Sequence, residues 1–395
     1  MASSAPARPR LFFVDYVRGW AIIGMVAAHY WHVFLREDVL DRVHGESVFF
    51  VLTFAAGLFF GVVGVSCALF LGEERAAERR RELARRGWLV FLAGFLWTLM
   101  LRDLAQFDFL HCIGIAMAAC GLLAVSARGW MAGLALIPIC WGIVAWQQTA
   151  LPAGLEPASG VSGFLMNSVL FTGHFPLPGW LPVVFLGYAL GVVLVRQGNK
   201  PTRFLRALTF AAGAVFTAAA YLAAYQGWGL SKIPISLGYS ILTCGVFALF
   251  WVLCSLLEGV SKWVPLRSVT VTLGTFALPA TAIHWLIGRS IMPRLHLTGD
   301  MGLPAFLITT AAILALIALA YRPWMALVNA WNDTRHGWLR SPWFLATVGV
   351  LSYLGGYVAL ALAGFRFHET VSSVIACAGI LVLCLPLYSR RARKR

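Results

Sequence analysis

The sequence is poor in charge. Of its 395 residues only 12% are Asp, Glu, Lys or Arg, while 60% are hydrophobic. A water-soluble domain carries roughly 25% charged residues, so this chain lacks the polar side chains to coat a soluble globule of its size. Acidic residues are the scarcer kind, 16 against 31 basic ones, for a formal net charge of +15. Such an excess would suit a nucleic-acid partner, but its placement argues otherwise. The basic residues gather in short loops and at the chain ends, as they do in membrane proteins. Also missing is any C-x-x-C pair. The eight cysteines lie in or beside apolar runs and read as small core residues, neither disulfides nor metal ligands. Short alternating segments of the kind that build a membrane β-barrel are absent, as are internal repeats. Nothing marks a boundary between separately folding domains, so residues 1–395 read as one membrane domain.

What the chain has instead is a succession of apolar runs of about 20 residues, the length that crosses a bilayer core about 30 Å thick. Its 16 tryptophans fit rings that favour the membrane interface. The expected fold is all-α and polytopic. About a dozen spans are expected at 13–35, 47–72, 87–103, 108–126, 129–147, 177–196, 207–226, 235–257, 269–289, 303–321, 342–363 and 370–388. The N-terminal MASSAPARPR leads into a full-length apolar run that holds Asp15 and Arg18 and shows no cleavage site. This reads as a retained first helix, not a signal peptide. Arg75, Arg79, Arg80, Arg81, Arg85 and Arg86 fall in one loop, and Arg390, Arg391, Arg393, Lys394 and Arg395 in the tail. By the positive-inside rule both loop and tail are cytoplasmic, and both termini lie inside the cell membrane.

Ionisable residues within a membrane are costly and usually functional. The first helix has the densest set: Asp15, Arg18, His29 and His32. At about 100° per residue, His29 lies about 20° from Arg18 around the axis and His32 about 40° to the other side. The three form a stripe, with His29 about 16 Å deeper than Arg18. The stripe reads either as a path across the bilayer or as a polar seam that only ties helices together. With this topology His32, His44, His111, His174, His284, His296 and His368 lie in the outer half or outside, where several could converge on one cavity. Histidine serves as general base or nucleophile near neutral pH. No Glu or Asp accompanies His29 and His32 at ligand spacing, so no metal is expected. Arg85 and Arg86 stand where a basic stretch enters the third span, placed to meet phosphates through forked hydrogen bonds.

Five segments resemble one family. RLFFVDYVRGWAIIGMVAAHYWH, FFGVVGVSCALFL, RRGWLVFLAGF, FDFLHCIGIAMA and GHFPLPGWLPVVFLGYALG are similar, in this order, to the heparan-α-glucosaminide N-acetyltransferase family and its bacterial relatives. The likeness covers about residues 10–196 and leaves 207–388 as accessory transmembrane helices. The spacing from Arg18 to His29 also resembles the wider transmembrane acyltransferase superfamily. The resemblance implies a cytoplasmic acetyl-CoA donor, a sugar acceptor on the far side and an acetyl group that crosses through the protein. It implies a catalytic histidine before the second helix, which falls at His44. At the end of the first-helix motif, where lysosomal members have Asn, this chain has His29, as many bacterial relatives do.

The expected function is therefore a membrane-bound acyltransferase that moves acetyl from acetyl-CoA to a sugar or glycan at the outer face. The expected catalytic residues are His29 and His44, with His32, His111 and Asp15 in support. Arg18, Arg85 and Arg86 are expected at the donor phosphates. The lipid bilayer, donor and acceptor are the expected partners, with a homo-oligomer left open. A transporter or flippase using the same polar stripe as a substrate path is the competing reading, and a structural partner in an envelope-polymer assembly is a third.

Overall fold

The structure, a computed structural model, describes residues 11–42, 45–72, 77–101, 106–151, 160–169, 174–233, 235–257, 267–295, 299, 301–333, 341–361 and 366–392. The described residues are almost entirely helical: α1 (Phe12–Phe34), α2 (Glu37–Arg42), α3 (Gly45–Leu71), α4 (Ala77–Leu101), α5 (Phe109–Leu123), α6 (Gly129–Ala150), α7 (Gly160–Val169), α8 (Leu177–Arg196), α9 (Arg203–Ala223), α10 (Leu237–Leu257), α11 (Arg267–Thr275), α12 (Ala277–Leu286), α13 (Leu303–Asp333), α14 (Pro342–Ala361) and α15 (Arg366–Ala392). A helix lies at each expected span. Among the described residues eight helices are long and apolar enough to cross a bilayer, nine if the bent pair α11–α12 is one span. This is a multi-pass membrane protein.

The structure differs from the sequence reading in three places. The arginines from Arg79 to Arg86, expected in a loop, are helical and run straight on into the third span as α4. The stretch between the expected spans 129–147 and 177–196 contains α7. The single span expected at 269–289 is instead broken, with α11 and α12 meeting at 92°. Pro279 supplies the cause, because it has no N–H to bond the carbonyl of Thr275, and its ring would collide with that carbonyl.

The packing places α8 at the centre. Trp180, Val184, Tyr188 and Leu194 on it are wholly buried, and it packs against α3, α6, α10 and α5. The α3–α8 crossing is backbone on backbone. A Cβ on Gly64 would strike the carbonyl oxygen of Val184, and one on Gly187 would strike that of Gly61. Small residues allow such close approach where lipid gives no hydrophobic drive between helices. At the periphery, α9 and α13 expose Phe204, Leu208, Val215, Leu222, Leu307, Ile308, Leu316 and Leu319. Apolar side chains on the outside suit helices whose solvent is lipid.

Gly64→Val should therefore be destabilising, by about 1–3 kcal/mol as for other overpacked cores, because the atoms it meets are backbone and cannot swing aside. Gly142 in α6 has nothing within 4 Å of a built Cβ, so Gly142→Ala should be neutral or slightly stabilising. Thermal unfolding of the purified protein in detergent checks both. A Gly64→Val protein that melts with the parent would show that the crossing is looser than described.

Candidate functional site

The first half of α1 is fixed by its charges. The Arg18 guanidinium donates to Asp15 Oδ1 at 3.1 Å, to the Gly274 carbonyl at 3.2 Å and to Ser66 Oγ at 2.6 Å. Its side chain is 14% exposed and that of Asp15 9%, so these bonds satisfy groups that would otherwise be stranded in a low-dielectric interior. The guanidinium thus ties α1 to α3 and to α11. Beside it the backbones touch: a Cβ on Gly19 would strike the Thr270 carbonyl, and one on Gly274 the Asp15 carbonyl.

One turn along α3 from Ser66 is Phe70, and the Arg86 guanidinium lies 4.7 Å from its ring centre. Residues four apart share a helix face, so Arg18 and Arg86 stand along one stripe of α3. Arg85 and Arg86 both donate to Glu82, through Nε at 2.8 and 2.9 Å, and Arg79 donates to the Leu71 carbonyl at 3.1 Å. The result is a strongly basic end formed by the beginnings of α1 and α4 and the end of α3.

The other end of the same helices holds a cavity of about 570 Å³. The end of α1 brings His29 and Tyr30 to it, α3 brings Thr53 and Phe59, and α4 brings Trp97. The loops before α5, α8 and α10 add Gln106 and Asp108, His174 and Phe175, and Lys232. The cavity thus has aromatic walls and a few convergent polar groups, the composition of a small-molecule site.

Each polar group is held by local structure. Asp108 caps α5: its side chain accepts from Phe109 N–H, while its own N–H donates to His111 Nδ1 at 3.1 Å. His174 touches Gln106. The Lys232 loop turns back through Gly227 (φ 91°) and Gly229 (φ 66°), where only glycine sits without strain. Gln148 of α6 clamps both ends of that loop, accepting from Leu237 N–H at 2.8 Å and donating to the Trp228 carbonyl at 3.3 Å. Lys232 lies 5.7 Å from the ring centre of Phe175. Burial pushes its ammonium down to about 8, with the negative charge of Asp108 pulling the other way.

At the cavity wall, His29 Nδ1 and His284 Nε2 are 2.9 Å apart, with the two rings parallel to within 2°. His284, on α12, is completely buried. Its Nδ1 lies 3.2 Å from the Ala280 carbonyl, and Tyr30 Oη donates to the His284 carbonyl at 2.7 Å. Trp285 meets the His29 ring edge to face at 4.8 Å. Histidine in such a cavity can act as base or nucleophile toward a bound substrate.

Of the residues expected from the sequence, His29 is at the cavity, and Asp15, Arg18, Arg85 and Arg86 are at the basic end. His111 is not among the cavity residues. It is wholly buried, caps α5, and is ringed by Phe91, Phe95, Phe107 and Phe164. His44 and the side chain of His32 lie outside what the structure describes. The sequence reading had His174 and His284 only within a group of seven histidines that could converge on one cavity, and it did not name Lys232, Asp108 or Gln106 as site residues. Among the described residues no three His, Cys, Asp or Glu side chains come together in a way that could hold a metal ion.

Residues 10–228 match the sequence model of the heparan-α-glucosaminide N-acetyltransferase catalytic domain. The match covers more than half of the chain, which therefore belongs to this family of membrane acetyltransferases. A comparison with curated proteins finds no match.

Because an opposite charge favours the ammonium form, Asp108→Asn should lower the Lys232 titration further below about 8, while Asn can still cap α5. The pH dependence of Lys232 acylation by an amine-reactive reagent, read by mass spectrometry, checks this. Half-reaction near the ordinary lysine value of about 10.4 would show that Lys232 is solvated, not buried.

Proposed function

From membership of that acetyltransferase family, we propose that the protein carries an acetyl group from cytoplasmic acetyl-CoA to a sugar or glycan held in the 570 Å³ cavity at the outer face of the cell membrane. The observation that carries the reading is the placement of His29. It lines a cavity with aromatic walls, at the opposite end of α1 from a basic cluster. In this reading the chain has about a dozen spans, with both termini and the α3–α4 connection in the cytoplasm, because basic residues concentrate there.

The donor binds at the basic end. Arg85, Arg86 and Arg18 supply charge-assisted hydrogen bonds to its phosphates, and its acyl end extends along α1 toward His29. The acceptor enters between the loops that carry Gln106, Asp108, His174 and Lys232. These groups bond its hydroxyls, and the rings of Trp97, Phe59, Phe109 and Phe175 pack on its flat faces.

Two routes use the same imidazole. As a nucleophile, His29 attacks the thioester carbon, the carbon–sulfur bond breaks, and the CoA thiolate leaves and takes a proton. The acceptor oxygen or nitrogen then attacks the acetyl carbon, the carbon–imidazole bond breaks and the acceptor proton is released. As a base, His29 takes the acceptor proton while the acceptor attacks the thioester directly, and returns it to the departing thiolate. His44, proposed from the family resemblance, stands on the acceptor side with His32 in support, while Asp15 acts only through Arg18 and His111 only through the cap it shares with Asp108.

Labelled acetyl-CoA and the purified protein test the reading. His29→Ala should lower transfer at least about 100-fold, the usual weight of a general base. Arg86→Ala should weaken donor binding by about 10-fold, as expected for a charged hydrogen bond worth about 1.5 kcal/mol, without lowering kcat to the same degree. Label retained on the protein without acceptor identifies the nucleophilic route, and its absence the direct one. Undiminished transfer by His29→Ala would remove His29 from the chemistry. A protein that moves a sugar but never cleaves acetyl-CoA would be a transporter.

A further inference from the structure

The family assignment concerns residues 10–228. His284 lies beyond them, on the broken helix α12, yet its ring is the partner of the candidate catalytic imidazole. The chemistry of its two contacts fixes the protons. A carbonyl oxygen can only accept, so the nitrogen 3.2 Å from the Ala280 carbonyl, Nδ1, carries the hydrogen. In the neutral ring Nε2 is then the acceptor, and a completely buried imidazole is costly to charge. The 2.9 Å contact therefore has His29 Nδ1 as donor. Neutral His29 consequently has its lone pair on Nε2.

We propose that His284 is a positioning residue for acetyl transfer, holding His29 as its Nδ1–H tautomer through a relay from the Ala280 carbonyl to His284 to His29. The inference about catalysis rests on the acetyltransferase reading above; the inference about tautomer does not. When His29 gains positive charge, by taking a proton or an acetyl group at Nε2, its Nδ1–H becomes a stronger donor. The lone pair of His284 Nε2 already faces it, so no reorganisation is needed at the moment of reaction. The parallel rings and the Tyr30 bond to the His284 carbonyl hold this alignment.

The tautomer can be read without any acceptor, by nitrogen and carbon NMR shifts of histidine-labelled protein in lipid nanodiscs. His29 is assigned by its loss in His29→Gln. The expected result is a His29 protonated on Nδ1 in the parent protein. It should become a mixture of tautomers in His284→Leu and return to Nδ1–H in His284→Gln, whose amide oxygen still accepts. Transfer of labelled acetyl should fall about 100-fold in the Leu variant and recover at least in part in the Gln variant, with the acceptor KM changing less than kcat. A parent His29 protonated on Nε2, or a tautomer unchanged in a folded His284→Leu protein, would overturn the proposal. If the tautomers behave as expected but the parent protein transfers no acetyl, the acetyltransferase reading fails while the relay stands.

Discussion

The arrangement depends on one buried cation. Arg18 has a short supply of water around it, and it must be satisfied where it stands. Asp15, Ser66 and the Gly274 carbonyl do this, and in doing so they join α1, α3 and α11 at one level. The glycines on either side of the clamp, Gly19 and Gly274, let α1 and α11 approach backbone to backbone. A side chain at either position would push the two helices apart and break the Arg18 bond to the Gly274 carbonyl. The polar stripe on α1 has two parts. Its lower part is a seam that ties helices together, and its upper part opens on a cavity.

From that clamp the site is built by distance. The ten residues from Gly19 to His29 climb about 15 Å, and the eight from Phe276 to His284 about 12 Å. After the 92° turn, α12 brings the His284 imidazole to within 2.9 Å of His29. An unbroken span at 267–286 would have carried His284 elsewhere. The break is consequently part of the site, and Pro279 enforces it. Gly288, whose missing Cβ makes room for the Tyr30 ring, completes the contact.

The helical, multi-pass character and the positions of the helices were legible because a span announces itself through length and apolarity within a single segment. So was the α1 stripe, which needs only the helical repeat. The family was legible from motifs whose glycines now have a structural reason: Gly61 and Gly64 in FFGVVGVS and Gly187 in GYALG are where α3 and α8 touch. What was not legible depends on contacts between distant segments. His284 is 255 residues from His29, and nothing in ATAIHWLIG distinguishes a ligand-site histidine from a packed one. Lys232 read as one more loop lysine until Gln148 and Phe175 were seen to hold it at the cavity. His111 shows the opposite case, a histidine in a matching motif whose ring caps a helix and sits among phenylalanines.

In the proposed reaction the acetyl group is handed over at His29. A cryo-electron-microscopy structure with a non-hydrolysable acetyl-CoA analogue tests it most directly. The analogue's phosphates should lie among Arg18, Arg85 and Arg86, with its acetyl carbon about 3–3.5 Å from His29 Nε2, the separation of a near-attack geometry. An analogue whose acetyl end lies away from the His29–His284 pair, or whose phosphates occupy the cavity beside Lys232, would contradict it.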